Sequence, residues 1–163
     1  LGPQHDRAAF SCGTPELDEY IKRLAGQHAR KKVSATTVLL VDAADRIAGY
    51  HSLSSTRLNL GELPPALAKQ YPRYEEGIPA TLVGRLAVDL SYSGQRWGEA
   101  LLLNALERSY QATSTVASAF VMVRAIDAAT TRFYARFGFK EFPGDSRRLY
   151  LPMKTVRQLT EMW

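Results

Sequence analysis

Residues 84–110, GRLAVDLSYSGQRWGEALLLNALERSY, constrain the fold more than any other stretch of the chain. Leu86, Ala87 and Val88 form an apolar strand, Gly94 and Gly98 mark a loop, and Leu101, Leu102, Ala105 and Leu106 recur on one helix face. A strand that passes through a glycine-bearing loop into a helix presents unpaired backbone N–H groups and a positive dipole end, which together suit a phosphate. An ordinary strand-helix connection has the same outline, so the shape by itself leaves both open. Two familiar phosphate loops do not fit. No Lys-Ser or Lys-Thr follows Gly98 as a Walker A loop requires, and Arg96 and Trp97 stand where the dinucleotide fingerprint needs its glycine spacing.

A chain of 163 residues suffices for one well-buried domain, and residues 1–163 are read as a single domain. No apolar run reaches the length of a membrane span and no signal peptide is visible, so a soluble cytoplasmic protein without membrane contact is expected. Leu1, Gly2 and Pro3 are set aside from the fold. Cys12 is the only cysteine, which excludes an internal disulfide framework. His5, His28 and His51 lie far apart, so no metal is expected. Lys and Arg number 21 against 16 Asp and Glu, a net charge of +5 with a pI near 9.5. Such a surface favours polyanions, whether a phosphate-bearing coenzyme or a nucleic acid, although a merely soluble basic protein has the same balance.

Thr14, Pro15 and Glu16 read as a helix start with a hydroxyl cap and proline in the first turn. Leu17, Tyr20, Ile21, Leu24 and His28 share its buried face. The helix runs to Arg30, Lys31 and Lys32, whose charges suit either its C-terminal dipole or RNA phosphates. Residues 36–41 and 47–58 are two strands joined by a turn at 42–46. Residues 59–79 contain Pro64, Pro65, Pro72 and Pro79, which rule out a continuous element beyond a short helix at 66–70. A loop of this length is a candidate wall on the substrate side. Residues 119–124 form a further strand. Asp127 then caps a helix that carries Phe133, Tyr134 and Phe137 and ends at Gly138. Residues 139–142 and 148–153 are closing strands joined through Pro143, Gly144 and Asp145, and residues 154–162 are a last helix. Strands interspersed with helices around one mixed sheet give an α/β class.

Gln95, Gly98 and Ala100 fit the acetyl-coenzyme A loop of the GNAT N-acetyltransferases, whose pattern is Gln or Arg, two residues, Gly, one residue, then Gly or Ala. A second register, through Gly94, places Ser93, Arg96 and Gly98 at those positions. Asp127, Thr130, Phe133 and Tyr134 resemble the GNAT block Asn-x-x-Ala-x-x-Phe-Tyr-x-x-x-Gly-Phe, with Asp127 and Thr130 replacing its Asn and Ala. Over nearly the whole chain, HDRAAFSCGTPELDEYI, IAGYHSLSS, GRLAVD and FYARFGFKEFPGDSRRLYLPM resemble the GNAT toxins of bacterial toxin-antitoxin modules, the TacT-like group. Cys12-Gly13 with Leu17-Asp18, and the segment from Arg85 to Asp89, are the narrower marks of that group.

The resemblance implies a GNAT acyl-CoA N-acyltransferase fold, a mixed central sheet splayed at the cofactor site and flanked by helices. It implies transfer of acetyl from acetyl-coenzyme A, without a metal, to the α-amino group of an aminoacyl-tRNA, which blocks translation. It also implies a homodimer silenced by a ribbon-helix-helix antitoxin, with operator DNA reached only through that antitoxin. By the same likeness Leu86, Ala87 and Val88 hold the pantetheine arm, and the Val88 N–H polarises the thioester carbonyl, a donor worth roughly 3 kcal/mol. The pyrophosphate falls to the backbone of Ser93, Gly94, Gln95, Arg96, Trp97, Gly98, Glu99 and Ala100, with Asp127 and Phe133 completing the cofactor set. The Arg96 side chain either grips phosphate or covers the surface.

Tyr134 is the catalytic candidate. A phenol of pKa about 10 stays protonated at neutral pH and can donate to a departing sulfur, whereas spacing alone makes it a packing aromatic between Phe133 and Phe137. No carboxylate lies within residues 82–88, where many GNAT enzymes carry a glutamate base, and Asp89 is read as structural. An α-amine of pKa about 8 loses its proton more readily than a lysine of about 10.4, which favours the aminoacyl ester. The RNA candidates are Arg30, Lys31, Lys32, Arg73, Arg85 and Arg136, followed by Arg147 and Arg148, with Arg85 alternatively an ion-pair partner. The other readings are an acetyltransferase of a small amine or protein N-terminus, and a non-catalytic coenzyme A or RNA-binding domain.

Overall fold

The computed structural model describes residues 1–162. Its first helix, α1 (Pro15–Glu19), has proline in its first turn and Glu16 and Asp18 near its positive end. Thr14 is extended, but its hydroxyl makes no cap hydrogen bond, contrary to the sequence expectation. Its carbonyl accepts the N–H groups of Leu17 and Asp18 instead, both at 3.1 Å. The Asp18 carboxylate reaches back to the Cys12 N–H at 2.8 Å, which explains why Cys12 and Asp18 occur together. A wide π-helical turn (Tyr20–Leu24) then leads into α2 (Ala25–Arg30). This turn holds one residue more than an α-turn and so shifts the buried face. Tyr20, Ile21 and Ala25 are buried, whereas Leu24, expected in the core, is exposed.

Two compact units alternate along the chain, the first combining Leu1–Ser54 with Gly84–Ala105. In it β1 (Ala35–Leu40) and the first part of β2 (Ile47–Leu58) pair antiparallel, from Ala35 opposite Leu53 to Leu40 opposite Ile47. The register shifts between Leu39 and Leu40, so Ala48 has no partner in β1. The Ala48 carbonyl takes the Asp89 N–H at 2.8 Å. The core consists of Phe10, Tyr20, Ile21, Ala25, Ile47, Tyr50 and Ala87, and Leu1, set aside in the sequence reading, packs against it. Buried phenols need hydrogen-bond partners. The Tyr50 hydroxyl donates to the Leu17 carbonyl (2.7 Å), and the Tyr20 hydroxyl meets those of Ser34 (2.6 Å) and Thr36 (3.0 Å).

The buried Asp89 carboxylate organises the same unit. One oxygen accepts the Ser11 N–H at 2.9 Å and the other the Ser91 N–H at 2.8 Å. The Leu90 N–H returns to the Ser11 carbonyl at 2.8 Å, so the N-terminal segment and the chain after β3 are laced together.

The second unit joins Ser55–Val83 to the chain from Leu106 onward. Residues 59–77 carry a 3-10 turn (Leu60–Glu62) and a four-residue α3 (Pro65–Ala68). Strand β3 (Ile78–Val88) is much longer than its apolar end suggested and takes in Pro79 and Gly84. Pro79 is tolerated because it is the second residue of the strand, where one missing donor costs little. β4 (Phe120–Arg124) runs parallel to β3, from Ala80 opposite Phe120 to Val83 opposite Val123. The β3 ladder with β4 therefore stops at Val83, although β3 continues to Val88. β6 (Asp145–Pro152) pairs antiparallel with β4 and with β5 (Lys140–Phe142), and only Pro143 and Gly144 separate β5 from β6. Leu58, Leu63, Ile78, Ala80, Phe120, Met122, Phe142 and Tyr150 form the core, with Leu60, Leu67, Ala68 and Tyr71 of the long loop packed against it.

The strand order is β1-β2-β3-β4-β6-β5. Helices α4 (Trp97–Ala112), α5 (Ala128–Ala135) and α6 (Met153–Thr160) flank this mixed sheet, an α/β fold as the element order implied. Leu101, Leu102, Ala105 and Leu106 of α4 are buried, as their spacing required. Among the described residues no helix is long and apolar enough to cross a membrane.

Two outcomes test these constraints. A Cβ at Gly49 would lie 2.7 Å from Leu101 Cδ1 and 2.9 Å from the Ala87 carbonyl oxygen. Gly49→Ala should therefore lower the urea-unfolding free energy by about 1–3 kcal/mol. Asp89→Asn replaces one of two acceptors with a donor and should cost about 1–3 kcal/mol. Amide hydrogen exchange should then accelerate at Ser11 and Ser91; unchanged protection there would show that the carboxylate is not the tie.

Candidate active site

The C-terminal end of β3 delivers Leu86 and Val88, both half-buried, around the buried Ala87. Asp89 then nucleates a 3-10 turn (Leu90–Tyr92) by accepting the Ser91 N–H. Both the N–H and the hydroxyl of Ser93 go to the Leu90 carbonyl, at 3.3 and 2.9 Å. Gly94 (φ +77°) and Arg96 (φ +63°) are left-handed, a conformation easy for glycine and strained for arginine. Gly98, read from the sequence as a loop residue, lies inside α4, which begins at Trp97.

Among the described residues the N–H groups of Gly94, Gln95, Arg96, Trp97, Gly98 and Glu99 take no hydrogen-bond partner, while that of Ala100 goes to the Arg96 carbonyl (3.3 Å). Nothing lies within 4 Å of a Cβ built on Gly94. A row of open donors at the start of a sixteen-residue helix suits an anion. The Arg96 side chain is 89% exposed, and among the described residues its only ion-pair partner is Glu99 at 3.7 Å. Gln95 accepts from the Trp97 indole N–H at 3.2 Å.

In the second unit Asp127 caps α5 as its position suggested. One carboxylate oxygen accepts the Thr130 N–H (2.8 Å) and hydroxyl (2.7 Å), and these bonds, the backbone one first, hold the carboxyl below the usual range. Tyr134 is 4% exposed. Its ring meets those of Phe133 (5.3 Å) and Phe139 (5.5 Å), whereas Phe137, past the end of α5, meets the Phe133 ring (5.4 Å) and not that of Tyr134. The aromatic neighbour missed by the sequence reading is thus Phe139, brought back after the left-handed Gly138 (φ +96°). Burial pushes the Tyr134 phenol up to about 12, and no hydrogen bond engages its hydroxyl among the described residues.

The basic candidates divide into free and committed side chains. Arg30, Lys31, Lys32, Arg73 and Arg136 are exposed, and Arg136 leans over Phe133 at 5.5 Å. Among the described residues Arg85 makes no ion pair; its guanidinium lies 3.8 Å above the Tyr20 ring. Arg148 pairs with Glu62 and covers Phe142, and Arg147 donates to the Thr131 hydroxyl at 3.4 Å, so both serve the fold. His51 is fully buried with Nε2 2.8 Å from Asn104 Oδ1, a pairing across 53 residues that no sequence signal marks. Among the described residues no group of three or more His, Cys, Asp or Glu is placed to hold a metal ion.

No family model matches the chain. The tRNA-acetylating toxin of Mycobacterium tuberculosis is 30% identical over 154 residues, 94% of this chain and 90% of that protein. The probable toxin TacT of Sinorhizobium fredii is 26% identical over 163 residues, 96% of this chain and 90% of that one. A tyrosine-to-phenylalanine variant of KacT superposes with a TM-score of 0.89 at 28% identity, over 96% of this chain and 92% of its own. AtaT complexed with acetyl-methionyl-tRNA superposes at 0.88 with 25% identity, over 97% and 94%. AtaTR bound with AcCoA superposes at 0.83 with 26% identity, over 96% and 92%. Identity at this level, over nearly the full length of both chains and on the same mixed sheet, has one reading: the chain belongs to the family of tRNA-acetylating toxins, the TacT-like group of GNAT acetyltransferases.

Proposed function

We propose that this protein transfers acetyl from acetyl-coenzyme A to the α-amino group of an aminoacyl-tRNA. A capped amine cannot form the next peptide bond, so translation stops. The observation that carries the proposal is the 30% identity to the tRNA-acetylating toxin over 94% of the chain. The AtaT relatives bound to acetyl-methionyl-tRNA and to AcCoA point to the same pair of substrates. Family membership also supports action in the cytoplasm as a homodimer, restrained by a ribbon-helix-helix antitoxin that carries the operator-DNA contact.

The open N–H groups of residues 94–99 fit a pyrophosphate, and the Arg96 side chain, with only a long exposed ion pair, is available to it. Leu86, Ala87 and Val88 lie on the part of β3 beyond its ladder with β4, which leaves that edge to an amide-bearing arm. Bound acetyl-coenzyme A supplies the acyl group as a thioester. The Val88 N–H is assigned to the developing oxyanion, and Tyr134 to the departing sulfur. As the C–N bond forms and the C–S bond breaks, nitrogen gives up one proton and sulfur gains one, so Tyr134 need only donate a hydrogen and recover it. Asp127 fixes the start of α5 and Phe133 packs the ring, which together orient the phenol. Arg30, Lys31, Lys32, Arg73, Arg85 and Arg136 are assigned to RNA phosphates.

Labelled acetyl should appear on aminoacylated tRNA and not on deacylated tRNA. Tyr134→Phe should lower kcat about 10²–10⁴-fold while leaving coenzyme affinity intact; label on neither RNA would end the proposal. The pH profile is a second check. The attacking amine must be neutral, so initial rates should rise through pH about 8. The acid form of Tyr134 is lost only as pH rises through about 12, so the profile should show no decline near 10. An alkaline limb centred near 10 would assign proton donation to a different group.

A further inference from the structure

The long loop contains a groove that the acetyl-transfer chemistry does not use. Its volume is about 530 Å³, and its lining includes Leu60, Leu63, Tyr71, Lys69, Arg73 and Tyr74. The apolar wall is fixed in advance: Leu60 and Tyr71 pack on the second unit's core, with the Tyr71 ring 4.9 Å from Phe120. Tyr74 differs. It is 62% exposed and is the only aromatic among the large exposed apolar side chains of the described residues. No carboxylate lines the groove, and Lys69 and Arg73 form no ion pair among the described residues. Glu62, next to the lining residue Gly61, is engaged by Arg148. A neighbouring hollow shares Arg73 and Tyr74 but contains Glu75 and Glu76, a poorer place for an anion.

We infer that this groove seats the unpaired 3′ end of the RNA substrate, with one base stacked on Tyr74 and adjoining phosphates on Lys69 and Arg73. The inference rests on the tRNA reading above. An aromatic plane beside two uncommitted cations matches the two halves of a single-stranded nucleotide, a π-face and a charged backbone. A duplex stem has no free base face to offer, and an acidic peptide would use the cations without the ring. Arg73 is the only one of the three residues that its sequence context marked for RNA. Lys69 and Tyr74 become visible once α3 and the turns after it are folded onto the sheet.

The test is binding, which does not require transfer. Affinity of the full chain for an uncharged tRNA is compared with that for the same tRNA lacking its unpaired 3′ nucleotides. Removing the end should weaken the parent protein about tenfold, within the range of one base-aromatic stack. Tyr74→Ala should lose the same factor on intact tRNA and become insensitive to removal of the end, while Tyr74→Trp should restore the difference. Lys69→Ala with Arg73→Ala should flatten the dependence of log Kd on log salt by about 1–2. Thermal melting checks that each variant is folded. If Tyr74→Ala loses as much as the parent on truncation, the groove does not hold the RNA end. If Tyr74→Ala leaves tRNA affinity alone and weakens only antitoxin binding, a peptide is the occupant and the inference is overturned. Binding as described without acetyl transfer would instead sink the catalytic reading and leave this one standing.

Discussion

A buried carboxylate holds the first unit to its purpose. Asp89 accepts two backbone N–H groups, from Ser11 and Ser91, and donates its own N–H to Ala48. Three stretches far apart in sequence thus meet at one residue: the N-terminal segment, the bulge in β2, and the turn that leads to the open donors before α4. A carboxylate can be buried when hydrogen bonds to its charged form replace water, and N–H donors do so without a cation. The bulge matters to this arrangement because it releases the Ala48 carbonyl from the β1 ladder. Gly49 follows at once, and its missing side chain is what lets Leu101 and the Ala87 carbonyl approach.

Much of the fold was legible where local chemistry and tertiary environment agree. The ends of β2, the apolar face of α4 and the Asp127 cap all match the sequence reading, because each is decided by neighbouring residues. β3 was under-read because Pro79 and Gly84 weaken local strand propensity, and pairing with neighbours overrides it. The π-helical turn left no mark, since Leu24 looks like a core residue until the extra residue turns it outward. At the site, the glycines and Tyr134 stood out through family likeness. The tie from Asp89 to Ser11, 78 residues away, and the contact of Tyr134 with Phe139 depend on chain reversals that no periodicity encodes.

The ionisable groups sort into reactive and inert by burial. Cys12 is the only thiol, and burial, the largest cause, pushes it up to about 11, so almost none is thiolate at neutral pH. A thiol held in its protonated form is a poor nucleophile, in keeping with the direct attack by the amine that the proposal uses. The same desolvation suits Tyr134, whose task in the proposal is to stay protonated. One physical effect silences the first group and maintains the second.

The wide turn at Tyr20–Leu24 also governs a region it does not touch. An α-helix advances about 100° per residue around its axis. Were the same residues wound as an unbroken α-helix, everything beyond Leu24 would be out of phase by about that angle, with Leu24 turned toward the buried face that Tyr20 and Ile21 define. Arg30 and the two lysines after it would swing likewise. The compass bearing of the basic cluster is therefore set a full turn and more upstream, by a single surplus residue, and a chain lacking it could keep every one of those charges and point them elsewhere.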